Sequence, residues 1–299
     1  SASPKIRKFA RELGADISKI SGTQRAGRVS AEDVKNFVRS QVTVSQGEVQ
    51  KKEVTKYVEE YSHEEFGEIA TQDLPRVKKL SGPHLVRSWT EIPHVTQHDE
   101  IDVTDMEQFR NSLYDYYTGE KIKVTPLAFI AKALVSALKE FPNFNASLNP
   151  ENNKIIYKKY FHIGFAVDTP HGLIVPKLRN VDQMSIQKIG EELKNTSQLC
   201  RELKIDKKEF FGGSMTISSL GGIGGTHFTP IINPPEVAIL GVGRTFDRLV
   251  KEKNQIVSKK ILPISLSYDH RLIDGAEGAR FCVYLGKCLG KDFAFKLAV

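Results

Sequence analysis

The sequence predicts an α/β body built on a mixed sheet, preceded by a small all-α module. Three observations lead there. From about residue 74 onward, helical apolar stripes alternate with short strand-like runs. Residues 1–42 hold only two short helical stripes, set around a glycine-flanked loop. Residues 43–73 are acidic and carry no sustained apolar period, so they read as a linker. Charge divides the same way: of the net +7, residues 1–42 contribute +5, residues 43–73 −5 and residues 74–299 the remaining +7.

In the module, Ser3 can cap a helix that opens at Pro4 and carries Ile6, Phe9, Ala10 and Leu13 at helical spacing, with Gly14 as its stop. A second helix opens at Ser30, with Asp33 three residues on as a variant capping box, and buries Val34, Phe37 and Val38. Gly22 and Gly27 bound the loop between them and suit positive φ. Arg7, Arg11, Arg25 and Arg28 are candidates for one cationic surface. Charge alone allows a solvated face, an acidic protein partner or nucleic acid. A DNA-reading helix is disfavoured, because Ala31-Glu32-Asp33 after the loop would repel phosphates. Within the linker, Val54, Tyr57, Val58 and Tyr61 could line a short helix, a single stripe of little weight.

In the body, helices are expected near 104–117, 125–141, 185–202 and 276–290. The second is the strongest: Thr125-Pro126 opens it, and Leu127, Ile130, Ala131, Leu134 and Leu138 share one side. Strands are expected at 161–168 and 172–178, separated by a turn at Thr169-Pro170-His171-Gly172, and at 214–219, 236–242 and 261–268. No internal repeat is evident, and no apolar run is long enough to span a membrane. The start at Ser1-Ala2-Ser3-Pro4, without signal region or initiator Met, reads as a piece cut from a longer chain. Cys200, Cys282 and Cys288 are odd in number and lack C-x-x-C spacing, which predicts reduced thiols, small apolar filler in a cytoplasmic protein.

Several chemistries are excluded. Gly221-Gly222-Ile223-Gly224-Gly225 fails the dinucleotide fingerprint, because His227 stands at its last position and Pro230, Pro234 and Pro235 follow. No phosphate-binding P-loop motif occurs. His94 and His98 are four apart but form no H-E-x-x-H, so no metal is expected. The useful constellation is Ser267-Tyr268-Asp269-His270-Arg271-Leu272-Ile273-Asp274-Gly275, placed at the end of an apolar strand. A lone histidine is more often structural. A second polar cluster, Thr216-Ile217-Ser218-Ser219, ends another strand and enters the glycine run, where a ligand can approach the backbone. An imidazole near a thiol can act as general base, and a serine hydroxyl can donate to an oxyanion. Spacing does not separate Ser218 from Ser219.

These segments carry two resemblances. Pro4-x-Ile6-Arg7-x-x-Ala10-Arg11-Glu12, Gly22-Thr23, Gly27-Arg28-Val29 and Glu32-Asp33-Val34 resemble the peripheral subunit-binding domain of 2-oxo acid dehydrogenase acyltransferases. Ser18 departs from that pattern, standing where a further Arg often occurs. Met215–Gly221, Pro235–Gly241 and Leu266–Ala276 resemble, in order, the signature of dihydrolipoamide acyltransferase catalytic domains. Ile92-Pro93-His94-Val95-Thr96 and Phe66-Gly67-Glu68 look most like the acetyl-transferring branch that serves pyruvate dehydrogenase complexes.

The resemblance implies a division into a subunit-binding domain at 1–42, a linker at 43–73 and a catalytic, core-forming domain at 74–299. The last would have a fold like chloramphenicol acetyltransferase. The implied roles are His270 as general base, Ser218 as oxyanion donor and Asp274 as a partner that holds site geometry. Coenzyme A is the implied co-substrate. The lipoyl group would sit on an upstream domain, since Asp206-Lys207-Lys208 follows a helical pattern and not a lipoylation hairpin. Implied partners are the pyruvate dehydrogenase component and dihydrolipoamide dehydrogenase, gripped by Arg7, Arg11, Arg25 and Arg28. The chain itself would form a homotrimer, with active sites between subunits, that assembles into a larger core. Neither nucleic acid nor membrane is an expected partner. The competing readings are a succinyl or branched-chain acyltransferase, a non-catalytic scaffold of the same fold, and a basic nucleic-acid binder. The last lacks the interleaved aromatics of a single-strand platform.

Overall fold

The computed structural model describes residues 2–24, 27–38, 61–114, 118–291 and 293–294. Two compact units divide the chain, Ser1–Gln72 and Asp73–Val299. Arg25 and the apolar positions Val54, Tyr57 and Val58 lie outside the described residues.

The first unit has helix α1 (Pro4–Glu12) and helix α2 (residues 31–38). Ser3 Oγ accepts from Ile6 N at 3.4 Å and Pro4 fills the first turn, as the sequence predicts. Asp33 does more than cap: its carboxylate accepts from Ser30 N, Thr23 N and Thr23 Oγ1 at 2.8–3.2 Å, while Ser30 Oγ accepts from Asp33 N. Those donors hold its carboxyl down at about 2. The loop is thereby tied to the second helix. Ala10, Ile20, Val29 and Val34 form the buried core, with Ile6, Phe9 and Phe37 against it, whereas Leu13 is exposed. Gly27 has the expected positive φ of 68°. Gly22 does not; it is required by close approach, since a Cβ there would meet the Gly27 and Arg28 backbone at 2.5–2.6 Å.

The second unit is built on a seven-stranded mixed sheet. Six strands run in the order β1 (His94–Asp102), β11 (Gln255–Asp269), β9 (Ala238–Val242), β8 (Met215–Ser219), β4 (Ile163–Phe165) and β7 (Lys177–Leu178). β10 (Phe246–Glu252) pairs with the outer part of β11. Strand β8 is parallel to both neighbours and the other pairings are antiparallel. Two ribbons stand apart: β2 (Ala146–Leu148) with β3 (Ile155–Tyr157), and β5 (Val167–Thr169) with β6 (Gly172–Ile174).

Alternation along the strands gives the sheet two unlike faces. Met215, Ile217, Leu240, Ile264, Leu266 and Tyr268 point into the main core. There they meet α5 (Pro126–Glu140), α6 (Ile186–Arg201) and α7 (Gly275–Leu289). α5 buries nine of its fifteen residues, as a helix apolar nearly all round must. Phe144 stacks on Phe281 of α7 at 4.1 Å. The opposite face carries Thr216, Ser218, Gly241, Ser265 and Ser267, and is covered by residues from the 220–236 segment. Phe228 lies against Gly241, where a Cβ would come within 2.9 Å of its ring.

The sequence missed α3 (Arg76–Glu91), whose Gly82, Pro83 and exposed Leu80, Val86 and Trp89 blur any amphipathic period. The helix expected at 104–117 is shorter: α4 spans Thr104–Asn111, after which Leu113 and Ile122 pair and the chain reverses. The runs 161–168 and 172–178 are each broken in two, the second at Pro176, so that β5 and β6 leave the main sheet. The 261–268 run is longer than expected, because the β10 hairpin extends it to Gln255. Asp206 caps a short 3₁₀ turn at Lys207–Phe210, not a hairpin.

Candidate active site

β11 delivers the His270 segment. Its last residue, Asp269, is buried and accepts from Arg271 N and from the Arg271 guanidinium at 2.6–3.2 Å. Leu272 N and Ile273 N return to Asp269 O, closing a tight turn. His270 sits at the apex, exposed, with its backbone N donating to Pro93 O at 3.1 Å. Four residues on, Asp274 Oδ1 accepts from Glu277 N at 2.8 Å. Asp274 therefore caps α7 and fixes where the helix begins relative to the turn.

Ser218 and Ser219, indistinguishable in sequence, point to opposite faces of the sheet. Ser219 shares the core side with Ile217, and its Oγ accepts from Gly221 N. Ser218 lies on the polar face, in a register row with Gly241, Ser265 and His98. Ser218 is thus two strands and five residues removed from His270. At about 4.8 Å between strands and 3.3 Å per residue, that is about 19 Å. One chain does not bring the two together.

Beside Ser219 opens a cavity of about 1060 Å³ between α5, α6 and the glycine run. Three cations, Lys194, Arg201 and Arg244, line it against two carboxylates, Glu107 and Asp168, so that a single positive charge remains beside Gly221 and Gly222. At the other end of β8, Lys177 Nζ is ion-paired with Glu236, and both are buried. Thr216 Oγ1 bonds to both, at 3.0 and 2.6 Å. Lys158 nearby donates to Gly213 O, and burial pushes its ammonium down to about 8. The cysteines offer no nucleophile: all three are buried, and burial pushes the Cys282 thiol up to about 12. Among the described residues there is no cluster of three or more potential metal ligands, and no helix is long and apolar enough to cross a membrane.

The family profile described as 2-oxoacid dehydrogenases acyltransferase (catalytic domain) matches residues 66–294. The chain belongs to that acyltransferase family. A second profile, the e3 binding domain, matches residues 1–35. The dihydrolipoyllysine-residue acetyltransferase component of the pyruvate dehydrogenase complex of Cupriavidus necator is 46% identical over 98% of the chain and 54% of its own length. The chain thus spans about half the length of such relatives. A solved structure of Azotobacter vinelandii dihydrolipoamide acetyltransferase superposes with a TM-score of 0.74, at 44% identity over 78% of this chain and 96% of that one. Its study addressed a serine, a histidine and an asparagine in the catalytic mechanism. The cubic core of a pyruvate dehydrogenase multienzyme complex matches with the same TM-score and identity. The mixed-sheet α/β fold expected from the sequence is the fold of these neighbours.

Of the predicted partner-binding residues, Arg7 and Arg11 are exposed on one side of α1, and Arg28 is exposed in the loop. His94, Asp269 and Arg271 clamp the His270 turn, a role that the sequence does not mark. The Asp269–Arg271 pair is local, but its adjacency to His94 depends on the β1–β11 register, His94 opposite Asp269, which no local motif reports.

Proposed function

We propose that this acyltransferase moves an acetyl group between coenzyme A and the dihydrolipoyl thiol of a lipoyl domain, as the core of a pyruvate dehydrogenase complex. One observation carries the site assignment. The three residues studied in the Azotobacter enzyme are separated by 52 and 4 positions, as are Ser218, His270 and Asp274 here. The third is Asp in this chain where that enzyme has Asn. The capping bond to Glu277 N gives the aspartate a structural role that an asparagine could equally fill.

In this reading His270 removes the proton from the attacking thiol, and the thiolate adds to the thioester carbonyl. The oxyanion of the tetrahedral intermediate accepts a hydrogen bond from Ser218 Oγ. Collapse expels the second thiolate, which takes the proton back from His270. No acyl-enzyme forms, in keeping with the buried cysteines. The intrachain separation of Ser218 and His270 supports a site completed by a neighbouring copy, as in a cyclic trimer, and the match to a cubic core supports assembly of such copies into a larger body. The cavity beside Ser219, where Lys194, Arg201 and Arg244 outnumber Glu107 and Asp168, is the proposed seat of the coenzyme A phosphates.

We assign residues 1–42 to docking, 43–73 to the linker and 74–299 to catalysis, with the two matched segments as support. Arg7, Arg11, Arg25 and Arg28 would hold the pyruvate dehydrogenase component and dihydrolipoamide dehydrogenase. The lipoyl group would be carried on a separate domain, and the bacterial relatives support a cytoplasmic protein. The deciding assay is acyl transfer to free dihydrolipoamide from acetyl-, succinyl- and isobutyryl-CoA. Acetyl-CoA should have the highest kcat/KM; preference for succinyl-CoA would move the protein to a sister complex.

A further inference from the structure

His94 opens β1 directly after Pro93, the residue whose carbonyl holds the His270 backbone. Its imidazole makes two contacts. Nδ1 lies 2.8 Å from Ile92 O and Nε2 lies 3.0 Å from Ile232 N. A backbone N–H can only donate, so Nε2 must present its lone pair; a carbonyl can only accept, so Nδ1 must carry the proton. The two partners together select the neutral Nδ1–H tautomer.

Ile232 is fixed from its other side as well. Its carbonyl accepts from the buried Ser88 Oγ of α3 at 2.6 Å. Ile92, Ile232 and Ile239 pack together as a small buried cluster, and the Trp89 ring lies 5.5 Å from the His94 ring. The Pro93 carbonyl is therefore flanked by Ile92, which is buried and bonded, and His94, which is tied to the 230–236 segment. Across the ladder, His94 faces Asp269, which holds Arg271. Thus the residue before His270 is clamped by Arg271, and the residue accepting its N–H is clamped by His94.

We propose that His94 is a positioning residue for His270: in its Nδ1–H form it ties Ile232 to the Ile92–Pro93 peptide and so sets the direction of the catalytic imidazole. The proposal rests on the reading of His270 as general base. Misdirecting a base by a fraction of an ångström to one ångström costs turnover, not affinity, because the substrates are held elsewhere.

The test compares three substitutions, in the complete chain, with acetyl-CoA and free dihydrolipoamide as substrates. His94→Phe keeps the ring against Trp89 and removes both bonds. It should lower kcat roughly 10- to 100-fold while KM for either substrate stays within about twofold. His94→Gln can still offer an acceptor to Ile232 N and should recover most of that loss. His94→Asn can reach only Ile92 O and should behave like His94→Phe. Combining His94→Phe with His270→Ala should reduce kcat no further than His270→Ala alone, because a positioning effect disappears with the group positioned. Sedimentation and thermal melting of each variant separate these effects from failure to fold; if His94→Phe does not assemble, the Gln–Asn comparison decides. Equal activity in Gln and Asn variants, a KM effect without a kcat effect, or multiplicative losses in the double variant would overturn the proposal. Near-native turnover in His270→Ala would overturn the general-base reading and this proposal with it. Inactive His270→Ala beside a fully active His94→Phe would overturn the positioning role of His94 alone.

Discussion

If His270 and Ser218 act on one substrate, they must come from different copies of the chain, and this can be tested by mixing two crippled subunits. The separation of about 19 Å follows from ladder register and strand geometry alone. A thioester carbonyl within 3 Å or so of both groups therefore cannot be served by one chain. His270→Ala should lower kcat by about 10²–10⁴ and Ser218→Ala by about 10²–10³, so each homogeneous assembly is nearly silent. In a cyclic trimer every site takes a histidine from one copy and a serine from the next. Every trimer that contains both variants has both native groups at one of its three sites, so about a third of native activity should return. Subunits would be co-expressed with different affinity tags, doubly purified and assayed for acetyl transfer to dihydrolipoamide. Mixtures made after assembly should stay silent unless subunits exchange. Co-assembled trimers containing both variants but no more active than either parent would refute the shared site.

Three further outcomes are expected. The Asp33 carboxyl is held at about 2 by Ser30 and Thr23, below its ordinary 3.8; its contribution to module stability is complete above about pH 4 and is lost as pH falls through about 2. Hydrogen exchange of the Val29 and Val34 amides should accelerate across that window in the native chain, and at neutral pH already in Asp33→Asn; pH-independent exchange stability would remove the network's role. Reversing Arg7 and Arg28 to Glu should abolish binding to both dehydrogenase components and leave acetyl transfer to free dihydrolipoamide intact, and the native association rate should fall with added salt. Tight binding by the reversed variant at moderate salt would leave those arginines as a solvated face. Glu236→Gln strands Lys177 in the sheet interior and should cost about 3–5 kcal/mol by denaturant unfolding, while Lys177→Met with Glu236→Gln recovers much of it; equal stability of single variant and native would show the pair is not dry.

What could be read locally was read, and what depends on distant pairing was not. α5 announces itself because Pro126 starts it and its apolar residues recur at helical spacing. β8, β9 and β11 announce themselves as short apolar runs bounded by glycine or polar clusters. α3 does not, because its Leu80, Val86 and Trp89 are exposed and Gly82-Pro83 interrupts it. Likewise 161–178 looks like two strands and is four, since departure of β5 and β6 from the sheet is decided by what each edge pairs with.

The site divides along the same line. Ser218, His270 and Asp274 stand out because they occur in dense local motifs, but their mutual distance cannot be read from motifs. It required two pairings in series, β8 with β9 and β9 with β11, and one residue of slip in either would move Ser218 off the face it shares with Gly241 and Ser265. Gly241 guards that register. Its lack of a side chain admits the Phe228 ring, and Phe228 N is tied to Ser265 Oγ in the next strand. Gly241→Ala should therefore force the 220–236 segment off the polar face and disturb Ser218 and the His94–Ile232 bond together. Thermal unfolding and kcat would report this jointly, with loss of activity at least as large as loss of the Ile232 contact alone. An Ala variant with native turnover and melting would mean that the segment tolerates displacement, and that neither Ser218 nor His270 depends on how it is seated.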